Sequence, residues 1–252
     1  MSGHSHWATI KRQKETTDLY RGKIFSKISR AIAIAARDGD DPETNFKLRL
    51  AIEKAKQANM PKENILRAIK RGGGKGEGEE RWEEVSFEGY GPEGIGIIIE
   101  AVTDNKNRTT AEIKNMFERE GGSLAGPGAV SYQFKKMGLL TVEKLANVDD
   151  QILKLIDFGA QDVEEVNDGI EVYIHPEQLK EAREKIEKAG FRVKSAELVM
   201  KPTLPVVVND PQKAQRVLKF MESLEDYEDI QKVYANFDIP DEILAQLSSD
   251  QN

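Results

Sequence analysis

Between residues 17 and 37, apolar side chains recur three and four positions apart: Ile24, Phe25, Ile28, Ala31, Ile32 and Ala35. At about 100° per residue they share one helix face, and Lys23, Lys27, Arg30 and Arg37 line the other. Ile34 falls on the charged side and marks a candidate contact surface. Gly39 reads as the helix stop. Asp41-Pro42 reads as an N-cap and first-position pair that opens a second helix through about Ala58. Met60-Pro61 opens a third, ending at Gly72, with Ile65, Leu66 and Ile69 on one side and Arg67, Lys70 and Arg71 on the other. Three short helices with one apolar stripe each predict a small bundle, and the glycine-rich run from Gly72 to Gly78 predicts a linker.

Beyond the linker the period changes. Val85, Phe87 and Gly89 alternate as in a strand, and Gly94 to Thr103 is a β-branched second strand. A helix is expected from about Thr109 to Glu120, with Thr109 and Glu112 spaced as a capping box. Gly121-Gly122 ends it, and a strand from Val130 to Phe134 follows. Residues 138–202 then read β-α-β-β-α-β, with strands at Leu139–Val142, Asp162–Val166, Glu171–His175 and Phe191–Val199, the split βαβ signature. The two intervening helices are Asp149–Phe158 and Pro176–Ala189. A helix from about Pro211 to Leu224 and a strand from Ile230 to Ala235 remain. They supply what the segment 81–134 lacks. The expected fold class is therefore α+β: an N-terminal three-helix domain (1–76) plus two α+β, ferredoxin-like domains, one inserted in the other. The discontinuous domain takes 81–136 with 203–240, and the inserted one 137–202.

Charge changes this picture more than composition does. The net charge of −7 hides an asymmetry: residues 1–76 hold 17 Lys and Arg against 8 Asp and Glu, and the rest hold 20 against 36. A basic module on an acidic body points to a polyanionic partner, against the plainer reading of a solvated helical domain. The chain has no cysteine, which excludes disulfides, thiolate metal sites and cysteine nucleophiles. No apolar run approaches the roughly 20 residues of a membrane helix, and the N-terminus lacks a secretory signal's apolar stretch. A cytoplasmic protein with no membrane partner is expected.

Catalytic chemistry finds little footing. Gly89-Tyr90-Gly91-Pro92-Glu93-Gly94 matches G-x-G-x-x-G, but a strand follows it where a dinucleotide site needs a helix N-terminus. His4 and His6 could join the amine and amides behind them in a tetragonal nitrogen set for Cu(II) or Ni(II), a chemistry that is usually adventitious. His175 closes a strand and reads as structural. No histidine has a triad partner in the sequence. No catalytic residue, cofactor or resident metal is assigned.

Two segments suit anions. Asp104 to Thr109 joins a strand to a helix N-terminus, where Arg108 could hold a phosphate; a well-capped loop is the plainer reading. The segment from Gly3 to Lys14 is basic, and its Trp7 either stacks on a base or folds back as an anchor on the bundle. With His4, Ser5, Lys11, Arg12 and Lys14 it leads into Arg21, Lys23, Lys27 and Arg30, a candidate connected cationic surface to which Arg67, Lys70 and Arg71 add. Replacing Lys23, Lys27 and Arg30 is expected to weaken nucleic-acid binding and leave the fold intact.

Gly3-His4-Ser5-His6-Trp7-Ala8-Thr9-Ile10-Lys11 and Arg21-Gly22-Lys23-Ile24-Phe25-Ser26-Lys27 closely resemble the N-terminal motifs of the YebC/PmpR family. Asn59-Met60-Pro61, Tyr90-Gly91-Pro92, Asp104 to Thr109 and Gly121-Gly122-Ser123-Leu124 are similar to that family's later blocks, in order along nearly the whole chain. His6 departs from the lysine common there. The resemblance implies a three-domain protein that binds DNA as a transcriptional regulator, working with the transcription machinery. Through the related mitochondrial translational activator of cytochrome oxidase, it also implies action on ribosomal RNA at the ribosome, on difficult nascent sequences. A protein-interaction scaffold that uses the acidic domains is the third possibility.

Overall fold

The computed structural model describes residues 18–73 and 82–249, with side chains described at 21–73 and 82–247. Its first unit is three helices: α1 (Asp18–Ala36), α2 (Phe46–Gln57) and α3 (Lys62–Gly72). The periodic stripe of α1 buries Ile28, Ile32 and Ala35 against Leu48, Ala55, Ile65 and Ala68. Leu66, expected on the inner face of α3, is 48% exposed, and Ala68 takes the inner position. A small residue there suits the close approach of the two helices. At Gly72 a Cβ would lie 2.0 Å from the Ala33 carbonyl oxygen, so any side chain would push α3 off α1.

The α1–α2 connection corrects one expectation. Asp41-Pro42 forms a turn, in which Asp41 Oδ1 accepts from the Glu43 N–H at 2.9 Å, and the helix begins four residues later. Its cap is Asn45, whose Oδ1 accepts from the Leu48 N–H at 3.0 Å. The same amide donates to the carbonyls of Ala35 (2.7 Å) and Gly39 (2.8 Å), closing the open end of α1. One buried side chain therefore terminates two helices. Asn45→Ala removes the cap and strips two carbonyls, and is expected to destabilise the bundle by about 2 kcal/mol; a urea titration followed by circular dichroism measures it.

The turn from α2 to α3 is local chemistry. Asn59 adopts a left-handed conformation (φ 56°), which asparagine tolerates better than most residues. The Asn59 N–H donates to Lys56 and the Met60 N–H to Ala55, a Schellman closure. Met60 is buried beneath it, and Pro61 prevents continuation.

The second unit is built on β1 (Glu83–Tyr90), β2 (Gly96–Thr103), α4 (Lys106–Arg119) and β3 (Ser123–Ala125). The third contains β4 (Phe134–Val142), α5 (Val148–Asp157), β5 (Asp162–Val166), β6 (Gly169–Ile174), α6 (Leu179–Lys188) and β7 (Val193–Pro202). The chain then returns through β8 (Val206–Val207), α7 (Pro211–Asp226), β9 (Ile230–Ala235), β10 (Phe237–Asp238) and α8 (Asp241–Ser249). The first sheet runs β3-β1-β2-β9 and the second β5-β6-β4-β7, antiparallel throughout. In the second, the order of its four strands is that of the split βαβ signature.

Strand β2 is central, and both its faces are covered. Ile97, Ile99 and Ala101 enter the main core with Phe117 and Phe220, which meet edge to face at 5.1 Å. Ile98 points the other way, onto Val130, Phe134 and Tyr234 at the junction of the two sheets. That is why its sequence reads as an unbroken apolar run.

Three further expectations shift. The capping box at Thr109 and Glu112 does not form: Asn105 caps α4, accepting from the Arg108 N–H at 3.1 Å, and Thr109 lies buried within the first turn. The strand expected at Val130–Phe134 is a single 3-10 turn at Ser131–Gln133, and β4 starts at Phe134. Glu88 dictates this by accepting from the N–H groups of Gly128, Val130 and Ser131 at 2.8 to 2.9 Å. Burial pushes the Glu88 carboxyl up, but these three donors hold it below the usual range. Helix α8 was not anticipated at all. The G-x-G-x-x-G stretch is the hairpin between β1 and β2, with the Gly91 N–H donating to the Ile95 carbonyl at 2.8 Å.

Among the described residues no helix is long and apolar enough to cross a membrane.

Candidate nucleic-acid interface

The helical unit meets both other units, through different helices. On α2, Glu53 pairs with Arg183 at 2.7 Å, and Gln57 Nε2 donates to the Lys194 carbonyl at 2.7 Å. Phe46 packs on the core of the third unit. The α1 contact is electrostatic, and it overturns a central expectation.

Lys23, Lys27 and Arg30, expected to face solvent, face the acidic end of α7 and the turn into β9. Lys23 lies 3.6 Å from Asp226, and Lys27 Nζ donates to the Glu225 carbonyl. Arg30 Nη2 reaches Glu228 at 2.7 Å, while Nη1 reaches Asp229 Oδ1 and the Glu228 carbonyl at 2.9 Å. The chain's own carboxylates thus neutralise the middle of the proposed cationic surface. The reason is complementarity: a basic helix and an acidic segment some 200 positions away in the same chain attract each other as any polyanion would.

Asp229 is the hub. It is 4% exposed, and its second oxygen accepts from Arg108 Nη2 at 3.0 Å and Thr109 Oγ1 at 2.6 Å. Tyr227 Oη lies 3.4 Å away. Burial pushes the Asp229 carboxyl up; the Thr109 and Arg108 hydrogen bonds and the charges of Arg30 and Arg108 outweigh it and hold the group below its ordinary range. Arg108 does sit beside a helix N-terminus holding anions, but they are Asp229 and Asp104 (2.8 Å) of the same chain. The Arg108 guanidinium, exposed on one side, is held protonated by the hydrogen bonds it donates to these two carboxylates.

Helix α3 behaves differently. Arg67, Lys70 and Arg71 are exposed, and Arg67 and Lys70 make no ion pair among the described residues. Between α3 and α1 lies a cleft of about 360 Å³. Phe25, Ser26 and Ser29 line it from α1, and Asn64, Arg67, Ala68 and Arg71 from α3. Trp82 and Glu228 close its sides. The guanidinium carbons of Arg71 and Arg30 lie 5.6 and 5.8 Å from the Trp82 ring centroid, in cation–π range.

Of the other sequence candidates, Arg21 is exposed on the first turns of α1. His4, Ser5, Trp7, Lys11, Arg12 and Lys14 lie outside the described residues, as do both histidines of the copper-type set. His175 Nδ1 lies 3.9 Å from Glu177. Two residues escaped the sequence reading. Trp82, in an acidic setting just before β1, carries no local sign that it reaches two arginines. Asp229 had a signal, the run Glu225-Asp226-Tyr227-Glu228-Asp229, whose charge complements α1.

The chain matches the model of the TACO1/YebC protein N-terminal domain over residues 5–75, and that of the TACO1/YebC second and third domain over residues 82–237. A probable transcriptional regulatory protein of Dictyoglomus thermophilum is 49% identical over 251 residues, covering 98% of this chain and all of the relative. One from Aquifex aeolicus is 46% identical over 249 residues, covering 98% and 100%. The crystal structure of a conserved hypothetical protein from Aquifex aeolicus superposes with a TM-score of 0.86 at 46% identity, over 95% of this chain and 99% of that one.

Proposed function

Because the chain belongs to the TACO1/YebC family, we propose that it is a nucleic-acid-binding regulatory protein, with a binding and not a catalytic role, working in the cytoplasm. In this reading residues 1–76 meet the polyanion. Residues 81–136 with 203–240, and the inserted 137–202, form the body that orients them. The observation that carries it is α3: Arg67 and Lys70 stay exposed and make no ion pair among the described residues, while Lys23, Lys27 and Arg30 of α1 are engaged by α7 and the turn into β9. The basic balance of the first 76 residues and the names of the bacterial relatives, probable transcriptional regulatory proteins, point the same way.

Duplex DNA at a promoter is the first reading of the target. Folded RNA at the ribosome is the second, and it is favoured by the cleft, because a tryptophan ringed by arginines suits unstacked bases better than a groove. Phosphate contacts make either binding strongly salt-dependent, since each neutralised phosphate releases counterions. The full chain should bind a labelled duplex or a ribosomal RNA fragment with a log–log salt slope of about −3 or steeper, losing roughly fifty-fold or more in affinity between about 50 and 200 mM salt. Fluorescence anisotropy measures both. Absence of binding to either at the lower salt would leave the scaffold reading.

A further inference from the structure

We infer that α3 of one copy of this chain docks antiparallel on α5 of a second copy, so that the protein associates with itself. The inference goes beyond the nucleic-acid reading and does not depend on it.

Two exposed helix faces carry it, one on the helical unit and one on the third unit. On α3, Leu66 is 48% exposed, with Lys62 one turn before it and Lys70 one turn after. On α5, Leu153 is 62% exposed, with Asp149 and Asp157 at the same offsets. Positions four apart stack along one face of a helix, so each face reads charge, leucine, charge over about 12 Å. The charges are lysines on α3 and aspartates on α5. All four are exposed, and none makes an ion pair among the described residues.

The residues beside each stripe choose the direction. On one side of the α3 stripe lie Glu63 and Arg67, both exposed, and on the other Ile69, half-buried. On α5 the corresponding sides hold Asp150 with Lys154, and Ile152 with Ile156, the latter 48% exposed. Facing helices that run antiparallel bring corresponding sides together. Centring Leu66 on Leu153 then sets Lys62 against Asp157, Lys70 against Asp149, Arg67 against Asp150 and Glu63 against Lys154. Ile69 lies along the edge formed by Ile152 and Ile156. Run parallel, the same helices would press Glu63 and Arg67 onto those isoleucines, which buries charge against apolar surface.

Charge complementarity at both ends and along one edge thus names the occupant as a second copy. A nucleic acid would cover the lysines of α3 but leave Leu66 bare, and it has nothing to offer the aspartates of α5. One pair of short helices buries little area, so the association is weak. Each copy presents one α3 and one α5. The contact therefore closes as a reciprocal dimer or runs head to tail, through the same residues in either case.

Sedimentation equilibrium of the full chain tests this between about 5 and 500 µM, the range of a weak interface. Nuclease treatment beforehand ensures that no nucleic acid bridges the copies. The expected result is a mean mass that climbs from one chain toward two or more. Lys62→Glu with Lys70→Glu sets like charges against Asp157 and Asp149, and Asp149→Lys with Asp157→Lys does the converse. Each double variant alone should stay monomeric over the whole range. Mixed in equal amounts, they regain opposite charges in both contacts and should associate as the native chain does, which separates docking from a folding defect. Leu153→Ala, checked for native helicity by circular dichroism, should weaken association roughly tenfold, the scale of one buried leucine. A single-chain mass at every concentration would overturn the inference and leave the nucleic-acid reading untouched. Association that persists in either double variant alone, or a mixture that stays monomeric, would overturn it equally.

Discussion

Asp229→Ala is expected to lower the stability of the full chain by about 3 kcal/mol and to loosen the helical unit from the sheets. The size follows from where the carboxylate sits. It is almost wholly buried, and four donors converge on it: Arg30 at 2.9 Å, Arg108 at 3.0 Å, Thr109 at 2.6 Å and, more distantly, Tyr227 at 3.4 Å. Removing one partner of a buried ionic network leaves the others desolvated without compensation, which costs far more than the net worth of the pair. Arg30 carries most of that penalty, since its side chain is only 16% exposed. Lys23 and Asp226 form the control. Both are about half exposed, and Lys23→Ala should cost no more than about 0.5 kcal/mol.

The same site sets an acid dependence, and its sign is fixed by the direction of the shift. The Asp229 carboxyl titrates below its ordinary value in the folded chain. Its contribution is therefore complete above about pH 4, where the unfolded group is ionised, and is lost as pH falls through the lower folded value. The gap between the urea midpoints of the native chain and Asp229→Ala should be full at neutral pH and shrink in strong acid. Coincident midpoints at neutral pH would show that α1 is held elsewhere.

Arg67→Ala with Lys70→Ala should cost roughly fifty-fold in nucleic-acid affinity at about 0.1 M salt, and reduce the log–log salt slope by about 2. Both side chains are exposed, so helicity and thermal midpoint should hold. The slope is the diagnostic quantity: a lost phosphate contact changes it, whereas a general loss of active protein lowers the amplitude at every salt alike. An unchanged slope would mean that α3 is not the contact surface. Replacing Lys23, Lys27 and Arg30 together is a different experiment from the one the sequence suggested. It strips the partners from Asp226, Glu228 and Asp229, so its first effect is on the union of the helical unit with α7 and β9.

How the elements were legible follows from the range of the forces that make them. The stripe of α1 predicts residues 17–37 and the helix runs Asp18–Ala36; Asp162–Val166 is a strand within the same bounds. Asn59-Met60-Pro61 closes one helix and opens the next through bonds that span at most five residues. Where two local signals competed, tertiary partners chose. Asn45 outranked Asp41 as a cap because it alone also closes the Ala35 and Gly39 carbonyls. The β-prone run at Val130 became a turn because Glu88, some forty residues earlier, holds its N–H groups.

By itself, then, the sequence determined every helix but α8, most strands, the discontinuity of the first sheet's strand pattern and the charge imbalance between the two parts of the chain. Each of these is a property of neighbours in the chain or of simple counts. Only the tertiary structure decided which cations meet solvent. A lysine on the polar face of a helix looks the same in sequence whether water or a distant carboxylate lies opposite, because electrostatic pairing depends on separation in space and carries no periodicity along the backbone. That is why Arg30 is committed to Asp229 while Arg67 meets no carboxylate among the described residues, and why Trp82 belongs to the cleft that the two helices form.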